Sequence, residues 1–399
     1  VMGLAPKTNM GYWPISTMFV ILGVTLFYNV AAANGTLEKL SRTLLYACRK
    51  FPSMLPYALF FVAVILSVMG AAYFTVLAFL APITMLICEE SKMDKLTGAM
   101  AINCGALAGG NFPTAALGVI FRGLMDEAYA NNPDLTPIDS FSSTLTMCGL
   151  AIVVSLILIT IMRFAIPANR TIGKGVTFAK PEAYDKVQKQ TLTLIFVMMA
   201  VVLVFPLLKM LLPDVAFISM VAGKIDVGLV AILFAVIALF LKLAPQKEII
   251  AKIPWNTIIM IAGAGMLIAV AVEAGTIEML SAWIGSNVPV VLIPLAFSIV
   301  AAIMSFFSST TGVVTPALFP LVPALAAATG LTPAVLFTCT VLGAQSSAIS
   351  PFSSGGSLIL GSCGNEEERN TLFNRLMFVA VPSSVAVNAV YNLIISMIL

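Results

Sequence analysis

The chain carries one membrane-type pattern twice, and each copy is interrupted at the same two places. Residues 34–40 read Asn-Gly-Thr-Leu-Glu-Lys-Leu, and residues 274–280 read Ala-Gly-Thr-Ile-Glu-Met-Leu. Three further pairs recur at one constant separation: Pro82 with Pro320, Gly105 with Gly343, and Pro113 with Pro351. A pattern repeated in this way predicts two related halves that share one fold.

In each half, two apolar stretches give way to Gly, Ser, Thr, Asn and Pro. The four interruptions are Met69 to Thr75, Gly105 to Gly118, Ser305 to Gly312 and Gly343 to Gly356. Irregular backbone at membrane depth is tolerated only where protein or a watery cavity satisfies its polar groups. Matching interrupted helices in two halves are the sequence feature that points most directly to the binding site of a secondary transporter.

Composition assigns the chain to the membrane proteins. Of its 399 residues, 60% are hydrophobic and 10% are charged, whereas soluble domains carry roughly 25% charged residues. The run Leu192 to Leu212 approaches the roughly 20 apolar residues that cross a bilayer. The net charge of +3 lies in short loops, so it does not indicate a nucleic-acid partner. We therefore expect an all-α polytopic protein embedded in a lipid bilayer.

Several chemistries are disfavoured by what the sequence lacks. It contains no His, and its six Cys are scattered singly without metal-ligand spacing. Imidazole metal sites, His proton relays and Ser-His catalysis are thereby excluded, and no Lys lies deep in a span to form a Ser/Lys dyad. A membrane-embedded enzyme remains the weakest of the alternatives, and no cofactor or structural metal is predicted.

The predicted organisation has two repeats and a connector. Repeat one covers 1–167, the connector covers 168–190, and repeat two covers 191–399. Re-entrant hairpins are predicted at 52–88 and 289–327, and broken helices at 97–125 and 333–360. Further spans are predicted at Pro14 to Ala32, Ser142 to Ile166, Leu192 to Leu212, Val227 to Leu243, Trp255 to Val272 and Leu376 to Ile398. Amphipathic segments are predicted at Thr36 to Lys50 and Thr276 to Ser286.

Basic residues set the predicted orientation. With two re-entrant hairpins, all but four of the 21 Lys and Arg residues fall on one side, which is therefore cytoplasmic. The exceptions are Lys7, Arg122, Lys209 and Lys224. The first hairpin then opens from the cytoplasm and the second from outside, which makes an inverted-topology repeat in the inner (plasma) membrane with a cytoplasmic connector. Repeat one lacks counterparts of two helices, so we expect them to precede Val1 in the native protein.

The interruptions are the predicted site because the span interiors carry almost no charge. A ligand there must use hydroxyls, amides and helix ends; helix N-termini favour anions, and C-terminal carbonyls favour Na⁺. Hydroxyls are offered by Ser308 to Thr311 and by the segment Ser350 to Ser354. Asn103, Asn111 and Thr114 are the polar groups of the first broken helix, whereas Met69 to Thr75 offers backbone alone. The alternative for each element is a small-residue packing notch between helices.

At these residues the chain resembles the ion-transporter superfamily, in particular the divalent anion:sodium symporters and the malonate-type dicarboxylate carriers. The resemblance rests on residues 343–356, Gly-Ala-Gln-Ser-Ser-Ala-Ile-Ser-Pro-Phe-Ser-Ser-Gly-Gly, on residues 103–110 and on residues 308–312. It implies a homodimer with scaffold and transport domains, elevator-type alternating access, and a C3 or C4 dicarboxylate such as malonate or succinate moved with Na⁺. In that family both hairpin tips carry Ser-Asn-Thr, whereas here they read Gly70-Ala-Ala72 and Ser308-Ser-Thr310.

The residues and the resemblance together give two sets of candidate site residues. The substrate-binding set is Ser308, Ser309, Thr310, Thr311, Ser350, Pro351, Ser353, Ser354, Gly355, Asn111, Pro113 and Thr114. The set for a Na⁺ ion is Gly70, Ala72, Asn103, Gly105, Gly109, Ser309, Thr310 and Ala348. The alternative function is a carrier of the same architecture for another anion, or one coupled to protons or to exchange.

Overall fold

The computed structural model describes residues 15–47, 54–172, 182–211, 225–253, 274–307, 309–363 and 365–398, with isolated positions between 215 and 270. Within these ranges the chain is helical and contains no β-strand. The predicted all-α class is therefore confirmed for this part of the chain. Residues 1–14, Ser308 and most of the predicted span Trp255 to Val272 lie outside the described residues.

The first half contains seven of the described helices. They are α1 (Ile15–Ala33), α2 (Thr36–Ala47), α3 (Leu55–Val68), α4 (Tyr73–Ser91), α5 (Lys95–Gly110), α6 (Ala116–Ala130) and α7 (Ser140–Ala165). The broken helix appears as α5 and α6, which are separated by residues 111–115. Pro113 accounts for the break, because proline lacks the N–H of an i→i−4 bond and disfavours helix in the residue before it.

The second half has three additional helices and then repeats the order of α2 to α7. Those three are α8 (Lys186–Leu211), α9 (Val227–Phe240) and α10 (Gln246–Ala251). The repeated helices are α11 (Thr276–Asn287), α12 (Ile293–Phe307), α13 (Thr310–Thr329), α14 (Pro333–Ser346), α15 (Ser354–Gly361), α16 (Glu366–Arg375) and α17 (Val381–Ile398). A π-helical turn at Leu376–Ala380 joins α16 to α17.

Three of the described helices have the length and apolar composition needed to cross a membrane: Ser140–Ala165, Thr310–Thr329 and the continuous segment Glu366–Ile395. Protein covers 72% of the most apolar window of Thr310–Thr329, against 39% and 28% for the other two. Thr310–Thr329 is therefore enclosed by other helices, whereas the other two leave most of their apolar surface for lipid. Shorter apolar helices include Leu55–Val68 and Pro333–Ser346.

Each half places two consecutive helices against the first part of its broken helix. Helices α3 and α4, joined by residues 69–72, both pack on α5, and helices α12 and α13 both pack on α14. Between α3 and α4 the backbone turns at Gly70, which has a φ of 95°. A side chain is strained at that angle, and a Cβ there would also overlap the ring of Tyr28.

Small residues explain how closely these helices approach each other. A Cβ added to Gly105 of α5 would overlap the carbonyl oxygen of Phe60 in α3, and a Cβ added to Gly343 of α14 would overlap that of Ser298 in α12. Gly109 lies equally close to the carbonyl of Val64. Its counterpart Ser347 instead donates its hydroxyl to the carbonyl oxygen of Ala302, at 2.6 Å. The two halves therefore share one packing geometry, which accounts for both Gly105 and Gly109.

The two breaks also share their backbone shape. Gly118 of α6 lies against the carbonyl oxygen of Phe112, and Gly356 of α15 lies against that of Ser350. In both places the chain folds back so tightly after the proline that only a glycine fits. The second part of each broken helix then packs on the other half, with α15 against α4 and α6 against residues 319–321 of α13. The halves therefore interlock at their breaks.

The last helical segment begins earlier than the predicted span Leu376 to Ile398. It starts at Glu366, because the side chain of Asn365 accepts the N–H of Glu368 at 2.9 Å and caps the helix. Three glutamates occupy the first turn, where the helix dipole favours negative charge. An expectation based on apolar residues alone misses this polar extension.

Candidate functional site

A cavity of about 310 Å³ lies where the four interruptions meet. Both halves contribute to its walls, and Thr25 of α1 in the first half is one of the lining residues. The first half supplies Ala72, Tyr73, Phe74, Leu107, Ala116, Leu117 and Ile120. The second half supplies Ser305, Ser309, Thr310, Thr311, Gln345, Ala348, Phe352, Ser353 and Gly355. None of these lining residues carries a formal charge.

Four helix N-termini face this cavity. Helices α4, α6, α13 and α15 each place at least one first-turn residue on its wall. Their N-cap residues are Ala72, Ala115, Ser309 and Ser353. Each N-terminus leaves N–H groups without intrahelical partners and carries roughly half a positive charge. Two of these N-termini come from each half, so the cavity is formed by both halves together.

The two N-termini of the second half are capped by serine in the same way. The Oγ of Ser309 accepts the N–H of Gly312 at 3.1 Å, and the Oγ of Ser353 accepts the N–H of Gly356 at 3.1 Å. The hydroxyl of Ser353 also donates to the carbonyl oxygens of Ala348 and Ser350, at 2.6 and 2.7 Å. These bonds fix both serines at the cavity wall and leave the earlier N–H groups of each first turn facing it.

The two N-termini of the first half have no side-chain cap. Ala72 and Ala115 stand at the N-cap positions of α4 and α6, in extended backbone conformation. An alanine side chain cannot accept the N–H groups that serine takes in the second half. The first half therefore presents more unpartnered backbone donors than the second.

These N-termini favour an anionic ligand. Each carries roughly half a positive charge, and the C-terminal ends of α5 and α14 beside the cavity offset only part of the sum. The wall combines hydroxyl and amide groups with apolar side chains, and Phe74 and Phe352 are exposed on it, so water screens part of this field. A cation-specific site of acidic residues is not present, because the described residues contain no cluster of three His, Cys, Asp or Glu.

A pair of amides joins the two breaks beside the cavity. The Nδ2 of Asn111 donates to the Oε1 of Gln345 at 3.1 Å, and the Nε2 of Gln345 donates to the Oδ1 of Asn111 at 2.7 Å. Asn111 ends α5 and is fully buried, whereas Gln345 lies in the last turn of α14 and lines the cavity. The two hydrogen bonds tie the C-terminal ends of these half-helices to each other.

A tyrosine of the cavity wall also connects the two halves. The hydroxyl of Tyr73 donates to the Oδ1 of Asn103 at 2.6 Å, which links the start of α4 to α5. The same hydroxyl fills the space beside Gly355, where a Cβ would overlap it. Tyr73 thus joins the first helix pair to the N-terminus of α15 in the other half.

Seven of the predicted site residues line the cavity. They are Ala72, Ser309, Thr310, Thr311, Ala348, Ser353 and Gly355. In the outer tip, the hydroxyls of Ser305 and Thr310 lie 3.0 Å apart, and those of Ser309 and Thr311 lie 3.4 Å apart. Ser308 lies outside the described residues, as does the side chain of Ser354, whose backbone begins α15.

The other predicted residues lie behind the walls. Ser350 and Pro351 are buried in the second break, where the hydroxyl of Ser350 accepts the N–H of Phe352 at 3.2 Å. Pro113 accepts a hydrogen bond from Arg122 at 3.3 Å. The hydroxyl of Thr114 is buried without a partner among the described residues. Three predicted glycines take part in close helix packing or a tight turn: Gly70, Gly105 and Gly109. The two predicted asparagines form the hydrogen bonds described above, Asn103 with Tyr73 and Asn111 with Gln345.

The sequence prediction missed four polar residues of the wall, namely Thr25, Tyr73, Ser305 and Gln345. Gln345 lies within residues 343–356, where the hydroxyl residues and Pro351 carry the stronger signal for a binding site. An amide in an otherwise apolar half-helix is the signal that would have identified it. Tyr73 carries no comparable signal, because an aromatic residue at the start of an apolar helix is common.

The helical fold is similar to that of a solved membrane transporter. The crystal structure of the YdaH transporter of Alcanivorax borkumensis matches with a TM-score of 0.68, over 97% of this chain and 86% of that one. The sequences are 17% identical, so the likeness is one of fold.

A family model supplies the more particular likeness. Residues 1–110 match the model described as "Dicarboxylate carrier protein MatC N-terminus". The predicted resemblance to dicarboxylate carriers is confirmed over these residues. No curated protein matches the chain significantly. Both matches are to transport proteins rather than to enzymes.

Proposed function

We propose that this protein is a secondary transporter of small dicarboxylates. The observation that carries the proposal is the convergence of four helix N-termini on one uncharged cavity of about 310 Å³. The family model over residues 1–110 supports the same substrate class. The first half offers the N-termini of α4 and α6, and the second half offers those of α13 and α15. A C3 or C4 dianion, such as malonate or succinate, would place one carboxylate against each pair.

Ser309 is the proposed principal hydroxyl ligand, and Ser353 is proposed to act by fixing the first turn of α15 beside the ligand. Ser309 and Ser353 are fixed as caps and face the cavity, with Thr310 and Thr311 beside Ser309. One carboxylate would lie between the first turns of α13 and α15, and the other would meet the uncapped N-termini of α4 and α6. Four residues would set the backbone shape of the two breaks without contacting the ligand: Pro113, Thr114, Ser350 and Pro351.

Transport would proceed by elevator-type alternating access in an inverted repeat. In this proposal α3–α4 and α12–α13 are the re-entrant hairpins, which open to opposite sides of the membrane. Their common packing on α5 and α14 supports it, since each pair would move as a unit with its broken helix. The proposal includes a homodimer in the inner membrane, with the connector in the cytoplasm.

Na⁺ is the proposed coupling ion. Helices α5 and α14 end beside the cavity, and their last carbonyl groups carry the partial negative charge that attracts a cation. Of the predicted ion-binding set, Ala72, Ser309, Thr310 and Ala348 lie at the cavity wall. A bound Na⁺ would offset part of the charge of the dianion before the loaded domain moves.

Uptake by proteoliposomes tests the proposal. With an inward Na⁺ gradient, the protein should accumulate radiolabelled succinate or malonate, and replacement of Na⁺ by choline should abolish the accumulation. Ser309→Ala should raise KM by roughly tenfold, because it removes a hydroxyl donor to a charged ligand. Ser353→Ala should also raise KM, because it removes the cap that fixes the first turn of α15.

Ser362→Ala is the matched control. Ser362 is at the opposite end of α15, and its hydroxyl donates to the carbonyl oxygen of Leu358 at 2.9 Å. Its KM should equal that of the unmodified protein. Absence of uptake for every dicarboxylate tested would contradict the proposed substrate class. Uptake that persists in choline would contradict Na⁺ coupling but would leave the proposed substrate class intact.

A further inference from the structure

We infer that Gln345 is a specificity-determining residue, whose amide donates a hydrogen bond to a substrate carboxylate, and that Asn111 positions it. The inference rests on the proposed function and concerns the same cavity. It assigns different tasks to two residues that form a hydrogen-bonded pair across the halves. Gln345 faces the ligand, and Asn111 holds Gln345 from behind.

The two hydrogen bonds couple the orientation of the Gln345 amide to that of Asn111. The Nε2 of Gln345 donates to Asn111 and its Oε1 accepts from Asn111, at 2.7 and 3.1 Å. A half-turn of the Gln345 amide alone would set donor against donor and acceptor against acceptor. Both hydrogen bonds would then be lost in a buried place, which costs more than a single exposed bond. The two amides can therefore turn only together, and the orientation of Asn111 sets that of Gln345.

One N–H group of Gln345 is left for the cavity. A primary amide carries two N–H donors, and Asn111 occupies one of them. Gln345 lines the cavity with 7% of its surface exposed, whereas Asn111 is completely buried and absent from the walls. Among the described residues the side chain of Gln345 bonds to Asn111 alone. A ligand in the cavity is the remaining partner within reach of the second N–H.

The position of the pair explains why an amide is needed there. Helices α5 and α14 end at this point, so their carbonyl groups give it a partial negative charge that repels a carboxylate. An amide N–H supplies a donor beside these C-terminal ends, where the helix dipoles themselves do not favour a carboxylate. A ligand without a carboxylate at this point would leave a buried donor unpaired, which is a strong basis for discrimination.

The inference is tested by transport kinetics of four variants in proteoliposomes. Gln345→Ala should raise the KM for the dicarboxylate by about tenfold and leave the maximal rate within about twofold. Preference for the dicarboxylate over the monocarboxylate of equal length should fall by a similar factor. Asn111→Ala should raise KM less, and adding it to Gln345→Ala should raise KM no further. Ser346→Ala is the control with unchanged KM, because its hydroxyl bonds within α14 to the carbonyl of Gly343.

Gln345→Glu supplies a readout that a purely structural role would not move. The ionised carboxylate repels the substrate, so KM should rise more than in Gln345→Ala at neutral pH. Lowering the pH protonates the glutamate and restores a donor. The ratio of its KM to that of the unmodified protein, measured at the same pH, should therefore fall as the pH falls. This variant is nearly isosteric, so it decides the question even if the alanine variant does not fold.

Two results would overturn the inference while leaving the proposed function intact. One is dicarboxylate uptake with unchanged KM in both Gln345 variants. The other is a KM ratio for Gln345→Glu that does not depend on pH. An unmodified protein that transports no dicarboxylate would instead refute the proposed function, and the inference would fall with it.

Discussion

At the scale of single residues, Gly355 shows how tightly the two halves meet at the cavity. It is the second residue of α15, and the hydroxyl of Tyr73 fills the space that a Cβ would need. Tyr73 in turn is held by its hydrogen bond to Asn103. Position 355 therefore requires glycine because of a neighbour from the other half, and its own backbone angles do not impose the requirement.

Gly355→Ala should consequently impair transport. The added methyl group must displace Tyr73 or α15, so we expect uptake to fall by at least about tenfold. Gly361→Ala in the same helix is the control, because nothing lies within 4 Å of a Cβ at that position. Initial rates of radiolabelled uptake compare the two variants. Equal rates would show that the contact between Tyr73 and Gly355 is dispensable.

Tyr73→Phe tests the hydroxyl by itself. The variant keeps the ring and loses the hydrogen bond to Asn103, which leaves the buried Oδ1 of Asn103 without that donor. We expect a loss of stability of about 1–3 kcal/mol. Thermal unfolding in detergent measures it. An unchanged melting temperature would mean that water or another group satisfies Asn103.

At the scale of helices, close packing of α3 on α5 and of α12 on α14 holds each pair to its broken helix. Gly105→Ala and Gly343→Ala place a methyl group against a backbone carbonyl, which cannot move aside as a side chain can. Each should destabilise the protein by about 1–3 kcal/mol.

Gly149→Ala in α7 is the control for both, since nothing lies within 4 Å of a Cβ there. Alanine is the better helix former, so this variant should be at least as stable as the unmodified protein. Melting temperatures in detergent separate the three variants. Equal melting temperatures for Gly105→Ala, Gly343→Ala and Gly149→Ala would show that the close approach of these helices does not limit the stability of the protein.

The sequence predicts helices well where proline, glycine and capping residues mark their ends. Pro113 and Pro351 located both breaks, and the predicted ends of the apolar stretches agree with α1, α4 and α12 to within a few residues. The polar start of α16 was missed, because it depends on the cap formed by Asn365 rather than on hydrophobicity. Local chemistry is readable from sequence when the signal lies within one turn of the helix end.

At the scale of the whole molecule, an ion pair joins the halves away from the cavity. Arg375 of α16 donates two hydrogen bonds to Asp94, at 2.5 and 3.1 Å, and Asp94 also caps α5 by accepting the N–H of Thr97. The side chain of Asp94 is 9% exposed. The pair therefore connects the start of the first broken helix to the final helical segment.

A double-mutant cycle measures this connection. Asp94→Asn keeps an oxygen for the cap and removes the charge, and Arg375→Gln removes the other partner. We expect a coupling of roughly 1–3 kcal/mol in unfolding free energy. The exposed pair Glu366 and Arg369 is the control and should give about 0.5 kcal/mol or less. Equal couplings would show that the buried pair does not hold the halves together.

The sequence predicts which segments form the site better than it predicts the contacts between them. The sequence identifies the interrupted segments, because they break an apolar pattern. It does not show that Asn111 meets Gln345, which lies 234 positions further along the chain. Nor does it show that Tyr73 fills the notch beside Gly355. Both contacts arise from the interlocking of the halves, which becomes visible only when α6 and α15 are placed against the opposite repeat.

The alanine caps of α4 and α6 have a consequence for the proposed transporter. Without a solute, water would have to satisfy their backbone donors, and moving that water through the bilayer would be unfavourable. A bound dianion would take the place that a serine hydroxyl holds in the second half. The solute would thereby complete the first turns of two helices, and movement of the loaded protein would be favoured over movement of the empty one.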